Sequence, residues 1–301
     1  LLLLLSAPIW RLSNVIFTSD LVSPNNGAIY NESYWRICRV SPMYNLQYSE
    51  LQLKQYASII RQILAVNCSS ASSTKYNVVI ENAEHLKYSE NDPNSLMITV
   101  STSQESNKEK VVYTAILISW GQNVFVNNAV HLPYMLEHGE IKVGNEVKKR
   151  LQNMFDCNIK QYCFTEFQLL QFAFNFVESA TSRSTDPFVL NYKTPQANFN
   201  DKITVTFEVG DVHAIWNSIQ EENSTYAELI HLAYQILQNQ LYLTTTLNIS
   251  MFDLCDVILS KSEVKNTGIV KMKTPEIVNS VFTVLNEISH PYLLHESQET
   301  E

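Results

Sequence analysis

The clearest hydrophobic pattern lies in residues 203–241. In Ile203–Val209 (ITVTFEV), apolar residues alternate with threonine and glutamate, and this period of two predicts a half-buried strand. Asp211 is predicted to cap a short helix after the strand. Thr225 and Glu228 have capping-box spacing, and apolar residues then recur at helical spacing up to residue 241. This stretch therefore predicts a strand followed by two amphipathic helices, a scaffold without chemistry of its own.

The same two periods predict the other elements. Strands are predicted at Tyr34–Val40, Tyr76–Ile80, Leu96–Val100, Val111–Trp120, Phe188–Tyr192, Leu241–Ile249, Leu254–Leu259 and Gly268–Lys273. Helices are predicted from Ser49, over residues 145–155, over Thr165–Glu178 and from Pro275. The segment around Pro133 shows neither period and is predicted to be irregular. Thr165–Glu178 is apolar on nearly every side, so we expect it to be the most buried helix.

Composition divides the chain into parts of different charge. Residues 1–150 hold 13 basic and 12 acidic side chains and residues 151–301 hold 8 and 18, so the net charges are +1 and −10. The acidic half will not bind a phosphate backbone unaided, so DNA contact is expected only indirectly or with a basic partner. We predict a mobile tail at 1–30, an N-terminal lobe at 31–143, a C-terminal lobe with the partner-binding sheet at 144–290, and an acidic tail at 291–301.

Targeting and redox signals are weak. The apolar run Leu1–Leu5 is too short for a signal peptide and indicates a truncated or mistranslated N-terminus. No stretch reaches the ~18 apolar residues of a membrane span, so no membrane role is predicted. The five cysteines include no CxxC pair and indicate reduced thiols in a cytosolic or nuclear protein. Cys157 and Cys163 are interpreted as core thiols.

Candidate chemistry is sparse. Phosphate-loop, dinucleotide, zinc-protease and nucleophile-elbow patterns are absent from the sequence. Four residues near Pro133 can be drawn as a metal site, although their spacing matches no known ligand pattern: His131, Glu137, His138 and Glu140. We therefore predict no catalytic residue, metal or cofactor.

The only dense basic cluster is Lys148-Lys149-Arg150, on the predicted helix over residues 145–155. Two interpretations stay open. The cluster is a solvated helix face, or it contacts phosphate or an acidic partner.

Five further motifs follow one another along the chain. They are YWRICRVSPMYNLQYS (Tyr34–Ser49), VVYTAILISWG (Val111–Gly121), LPYMLEHG (Leu132–Gly139), VKKRLQNMFDCNI (Val147–Ile159) and ITVTFEVGDVHAIWNSI (Ile203–Ile219). In this order they resemble one known family, the centromere protein L family of the inner kinetochore. The resemblance covers about Tyr34–Ile288, most of the chain.

The resemblance implies an α+β fold with curved antiparallel sheets flanked by amphipathic helices, in one large domain or two closely joined lobes. It implies a non-catalytic subunit in the nucleus, at the centromere. It further implies a heterodimer with centromere protein N and contacts with centromere protein C and the H–I–K–M group. These subunits form the constitutive centromere-associated network, which supports chromosome segregation.

We place the partner surface on the C-terminal sheet, at the predicted strand Leu241–Ile249 and the hairpin Leu254–Lys273. The first strand of the hairpin, Leu254–Leu259, carries a single charge at Asp256, and a hairpin at the edge of a sheet is an association hazard unless something covers it. The residues predicted to contact the partner are Leu247, Ile249, Leu254, Cys255, Val257 and Leu259. The alternative is that the last helix covers this face.

Two other functional classes stay open on the sequence. An unrecognised α+β enzyme would need titratable groups that converge in a pocket. A secreted binding protein would need a signal peptide upstream of Leu1.

Overall fold

One antiparallel sheet of 11 strands organises the molecule. The computed structural model describes residues 29–30, 33–68, 75–103, 109–122, 125–179, 183–194, 202–220 and 224–296, excluding the side chains of 290–296. The main strands are β1 (Tyr34–Val40), β3 (Lys75–Asn82), β4 (Leu96–Ser103), β5 (Glu109–Ile118), β7 (Tyr134–Gly139), β8 (Ile159–Gln161), β9 (Pro187–Lys193), β10 (Lys202–Glu208), β11 (Asp253–Leu259), β12 (Ser262–Lys265) and β13 (Ile269–Met272). A second, two-stranded sheet pairs β2 (Met43–Tyr44) with β6 (Ala129–Val130).

Six α-helices flank the sheet in the part of the chain that the structure describes. They are α1 (Glu50–Asn67), α2 (Ile141–Phe155), α3 (Glu166–Glu178), α4 (Val209–Ser218), α5 (Tyr226–Thr245) and α6 (Pro275–Glu296). The fold is therefore α+β with antiparallel pairing, as predicted, and the sheet is not closed into a barrel.

The order of the strands joins the two halves of the chain. It runs β10-β9-β11-β12-β13-β1-β7-β5-β4-β3, and β8 pairs with β1 beside this path. Because β1 pairs with both β13 and β7, it lies where the C-terminal and N-terminal strands meet. The predicted boundary at residues 143/144 is thus crossed by continuous hydrogen bonding, and the two outer strands of the sheet are β10 and β3.

Two hydrophobic cores occupy opposite faces of this sheet. Alternate residues of β1 divide between them: Trp35 and Ile37 enter the larger core, and Cys38 and Val40 enter the smaller one. The larger core includes the buried faces of α3, α4, α5 and α6, and the smaller one includes those of α1 and α2. Because successive side chains of a strand point to opposite faces of the sheet, β1 contributes side chains to both cores.

Four of the helices, α1, α3, α5 and α6, begin where the sequence predicts, whereas α2 begins at Ile141, before its predicted start near residue 145. Ser49 caps α1, Thr165 and Thr225 form capping boxes at α3 and α5, and Thr274 precedes Pro275 at α6. Asp211 is not a cap, because α4 begins after Glu208 and places Asp211 in its first turn. Each of these caps satisfies N–H groups that the first turn of a helix leaves unpaired.

The predicted burial of α3 is confirmed. Seven of its 13 residues are buried, and the side chain of Phe172 is 0% exposed. Phe172 packs against Phe164 at 4.9 Å and Phe176 at 6.2 Å between ring centroids. The helix lies between β11 and α6, which explains why it is apolar on several sides.

Two predicted elements are wrong. The strand predicted at Leu241–Ile249 does not form, because α5 continues to Thr245 and a 3₁₀ turn follows at Ile249–Met251. The segment after Pro133 is not irregular, because β7 begins directly after this proline and pairs with β1 and β5. A proline is tolerated there since it precedes the first ladder residue.

The ends of the chain also differ from the prediction. Ile29 is 1% exposed, and its carbonyl accepts a hydrogen bond from Trp35 Nε1, so the predicted tail ends before this residue. The rest of that tail, residues 1–28, lies outside the described residues. At the other end α6 passes through Pro291 to Glu296, and residues 297–301 are not described.

Candidate partner-binding surfaces

The predicted hairpin is not at an edge of the sheet. It is a three-stranded meander of β11, β12 and β13, and β11 is hydrogen-bonded to β9 on its other side. The premise of a free edge at Leu254–Lys273 is therefore wrong, because β9 lies between β11 and the sheet edge at β10, and β13 at the other end of the meander pairs with β1.

Four of the predicted partner residues lie on β11 and are buried within the chain. Leu254 is 3% exposed, Cys255 7%, Val257 0% and Leu259 4%. A β-bulge between Leu254 and Asp256 shifts the alternation, so Leu254, Val257 and Leu259 enter the larger core together. The Cys255 thiol instead donates to the Asn191 carbonyl at 3.2 Å. The side chains of these four residues therefore already make their contacts within the chain.

The other two predicted partner residues follow α5. Thr246 ends this helix in the left-handed conformation, with φ of 57°. Ile249 is 2% exposed in the 3₁₀ turn, and Leu247 packs partly against the larger core. Neither residue belongs to a strand, so neither can offer main-chain pairing within a sheet.

One free edge is β10. All seven of its residues pair with β9, from Lys202↔Lys193 to Glu208↔Pro187. Among the described residues nothing pairs with its other side. A strand of seven residues with one side unpaired presents main-chain donors and acceptors to another chain.

The side chains of β10 show two different faces. Val205 is buried, and Ile203 and Phe207 pack partly against the larger core. On the opposite face, Thr204 Oγ1 donates to Asn191 Oδ1 at 2.8 Å. The Lys202 ammonium lies 2.6 Å from Asp256 Oδ2, and this hydrogen bond raises the pKa of Lys202. The first of these contacts joins β10 to β9 and the second joins it to β11, and both leave the outer edge of β10 open.

The three residues of the basic cluster point in different directions. Lys148 turns inward, with its side chain 17% exposed, and its ammonium lies 2.7 Å from Glu137 Oε1. Lys149 is exposed. The Arg150 side chain is half-buried, and its Nε lacks a hydrogen-bond partner. The cluster is therefore not one solvated basic surface, and only Lys149 presents an unobstructed cation to solvent.

Glu137 forms the centre of a buried charge cluster that sequence reasoning missed. Its side chain is 1% exposed and accepts hydrogen bonds from Lys148 Nζ, from Arg36 Nε at 3.3 Å and from Tyr113 OH at 2.7 Å. The Cys38 thiol lies 3.9 Å from the same carboxylate. The strand β7 supplies Glu137, its neighbours β1 and β5 supply Arg36 and Tyr113, and α2 supplies Lys148.

Opposing effects set the pKa of Glu137. Burial acts to raise it, but the hydrogen bonds from Lys148 and Tyr113 and the charges of Lys148 and Arg36 outweigh burial, so the pKa is lowered. Burial and the Glu137 charge together raise the pKa of Tyr113 well above its usual value. The cluster thus holds an ionised glutamate and a neutral tyrosine, and the charges of Arg36 and Lys148 compensate the buried carboxylate.

The residues drawn as a metal site do not converge. Glu137 is engaged as described, and the His138 ring stacks edge-on against Trp35 at 5.1 Å. His131 is buried with its Nδ1 unpaired, and burial lowers its pKa to about 4. Within the described ranges, no group of three His, Cys, Asp or Glu residues could hold a metal ion.

All five cysteines are free thiols. Cys157 is half-buried, and burial raises its pKa to about 11. Cys163 is exposed, so the interpretation of this residue as a core thiol is wrong. Cys163 lies in the short connection between β8 and α3. Its neighbour Phe164 packs inward, whereas Cys163 is exposed to solvent.

A comparison with protein-family models identifies one match, to centromere protein L, over residues 28–290. The match begins one residue before Ile29, the first residue that the structure describes, and ends within α6. The chain belongs to the centromere protein L family.

The centromere protein L assignment places the chain among the structural subunits of the kinetochore. No curated protein matches the chain. None of the described helices is long and apolar enough to span a bilayer.

The motifs that resemble centromere protein L form the middle of the sheet and one of its edges. Tyr34–Ser49 forms β1, β2 and the α1 cap, and Leu132–Gly139 contains β7. Val147–Ile159 forms the end of α2 and the start of β8, and Ile203–Ile219 forms β10 and α4. The motifs in the middle of the sheet hold the fold together, whereas the last one presents a surface.

Proposed function

We propose that this chain pairs with centromere protein N by strand addition to the free edge of β10. The open edge of β10 in a member of the centromere protein L family carries this proposal. Main-chain hydrogen bonds along seven residues would supply affinity, and the alternating side chains would supply specificity.

The proposed interface lies at the edge strand β10, outside the hairpin on which the sequence placed it. β11 lies two strands inside the sheet, and β9 lies between it and β10. Leu254 and Val257 pair in register with Tyr192 and Leu190 of β9. The six residues first predicted to touch the partner would then support the interface from the core beneath it.

The heterodimer would contact centromere protein C and the H–I–K–M group and help assemble the constitutive centromere-associated network. It would act in the nucleus, at the centromere during mitosis, in support of chromosome segregation. Its role would be binding without catalysis, in keeping with a cluster around Glu137 whose groups neutralise one another.

The test is a proline placed on the outer edge of β10. N–H groups alternate between inner and outer sides of an edge strand, so Thr204→Pro and Val205→Pro are made separately. Only a proline at an outward N–H leaves the ladder to β9 intact. We expect the variant that keeps the wild-type melting temperature to bind centromere protein N about tenfold more weakly or worse, measured by calorimetry with purified partner.

The matched control is the same pair of substitutions in the opposite edge strand, Val79→Pro and Ile80→Pro. The folded variant of that pair should bind centromere protein N like the wild type. Unchanged affinity of the folded β10 variant would place the interface elsewhere on the molecule.

DNA association by the isolated chain should be weak. The net charge is −9, and Lys148 is already neutralised by Glu137. We expect no binding of a fluorescent DNA duplex at physiological salt, measured by anisotropy. If a complex with a basic partner does bind, Lys149→Glu should weaken it more than Lys148→Glu, because only Lys149 is exposed. Tight, salt-sensitive binding by the chain alone would contradict this prediction.

A further inference from the structure

A groove runs beside β3, the outer strand at the other end of the sheet. Its volume is about 500 Å³. One wall is the N-terminal half of α1, including Leu53 and Ala57, and the other is the stretch Val78–Asn82 of β3. This volume falls in the range of sites that hold ligands.

The edge of β3 is open along this groove. Its eight residues pair with β4, from Lys75↔Ser103 to Asn82↔Leu96. No other strand among the described residues pairs with β3. Proteins blunt such edges with short strands, proline or charge, but β3 has no proline and carries charge only at Lys75 and Glu81.

The two faces of β3 differ in chemistry. Val78 is buried in the smaller core beneath α1, and Ile80 packs partly against the same core. Val79 is 39% exposed on the opposite face, and Glu81 is exposed on that face too. Since side chains alternate across a sheet, a strand added beside β3 would place every second residue next to Leu53 and the others next to Glu81.

The charged groups at the groove indicate which side chains of the added strand would lie beside Glu81. Glu50 at the rim already pairs with Lys54 at 2.5 Å. Glu81 has no ion pair among the described residues, so it is the carboxylate available to a ligand. A basic side chain beside Glu81 complements it across two strands.

We propose that the β3 groove binds an extended segment of another protein in which apolar and basic residues alternate. About five residues of this segment would pair along Val78–Asn82, a length of roughly 17 Å. Apolar side chains would fill the groove against Leu53 and Ala57, and basic side chains would lie beside Glu81. Because β3 and β10 are at opposite ends of one sheet, the chain would join two partners at the same time. This site does not depend on the proposed contact at β10.

The test uses the full chain and a blocked seven-residue peptide in which valine alternates with lysine. Its control has glutamate in place of lysine. We expect the lysine peptide to bind and to slow amide hydrogen exchange in β3, and the glutamate peptide to bind about fivefold more weakly. Exchange in β10 should not change.

Two variants locate the site. Glu81→Lys reverses an exposed charge and should weaken the lysine peptide about fivefold while strengthening the glutamate peptide. Its control, Glu90→Lys, makes the same change at an exposed residue outside the groove and should have no effect. Ala57→Trp should fill the groove and abolish binding of both peptides. If Ala57→Trp does not fold, the Glu81→Lys result decides.

Three results would overturn the proposal. One is no binding of either peptide at millimolar concentration. A second is protection that appears at β10 instead of β3, or binding that Glu81→Lys does not change. The third is a dimer of the chain, seen by sedimentation, that Ala57→Trp dissociates, because the occupant of the groove would then be a second copy.

Discussion

Phe172→Ala should lower the free energy of unfolding by about 3–5 kcal/mol, measured by chemical denaturation. The side chain is 0% exposed at the centre of α3 and lies between the Phe164 and Phe176 rings. Alanine would remove the ring and leave a cavity that α6 and β11 cannot close without moving the sheet.

The control is Phe167→Ala on the same helix. Phe167 is 39% exposed, so the same truncation removes little buried surface there. We expect a much smaller loss than at Phe172. Equal losses at the two positions would show that α3 is not buried as described.

Local signals in the sequence predicted the helices well. The capping boxes at Thr165 and Thr225 supply partners for N–H groups within three residues, so they work independently of the rest of the fold. The all-round apolar surface of α3 likewise reports its burial directly.

The C-terminal half of α5 shows where a local pattern misleads. Residues 241–249 alternate apolar and polar in part, which favours a strand. Yet no glycine or proline interrupts the chain after Thr225, and continuing a helix costs less than starting a new element. The helix therefore runs on, and Leu243 is left 81% exposed near its end.

The candidate surfaces depend on strand order, which no local pattern encodes. The sequence of the hairpin that contains β11 shows no further strand partner. The structure shows that β9, from earlier in the chain, pairs with β11. The pairing of β1 with β13 likewise joins residues more than 200 positions apart. The edges at β10 and β3 follow from these long-range pairings, so local sequence patterns could predict the strands but not which of them lie at an edge of the sheet.

The cluster around Glu137 illustrates a second limit. The sequence shows a lone glutamate in LPYMLEHG, after a proline that suggested an irregular segment. Its partners Arg36, Tyr113 and Lys148 lie on three other elements. The pairing of β1, β5 and β7 and the packing of α2 bring them together, which is why the sequence did not show that Lys148 turns inward.

Glu137→Gln should lower the free energy of unfolding by about 3–5 kcal/mol near neutral pH. The substitution removes the carboxylate that Arg36 and Lys148 share, and it leaves two partly buried cations close together. Denaturant unfolding of both chains across pH measures the effect. Glu50→Gln, which breaks an exposed pair with Lys54, should leave the unfolding midpoint unchanged.

The pH dependence distinguishes a charge effect from a packing effect. The pKa of Glu137 is lowered in the folded chain, so its ionised form contributes stability above the ordinary glutamate pKa, and this contribution is lost as pH falls through the lowered value. The difference in stability between wild type and Glu137→Gln should therefore be full at neutral pH and shrink on acidification. The double variant Glu137→Gln/Lys148→Met should lose less than the sum of the two single variants, since it removes one uncompensated cation. A stability difference that stays constant down to strongly acidic pH would mean that Glu137 acts through shape and hydrogen bonding, without its charge.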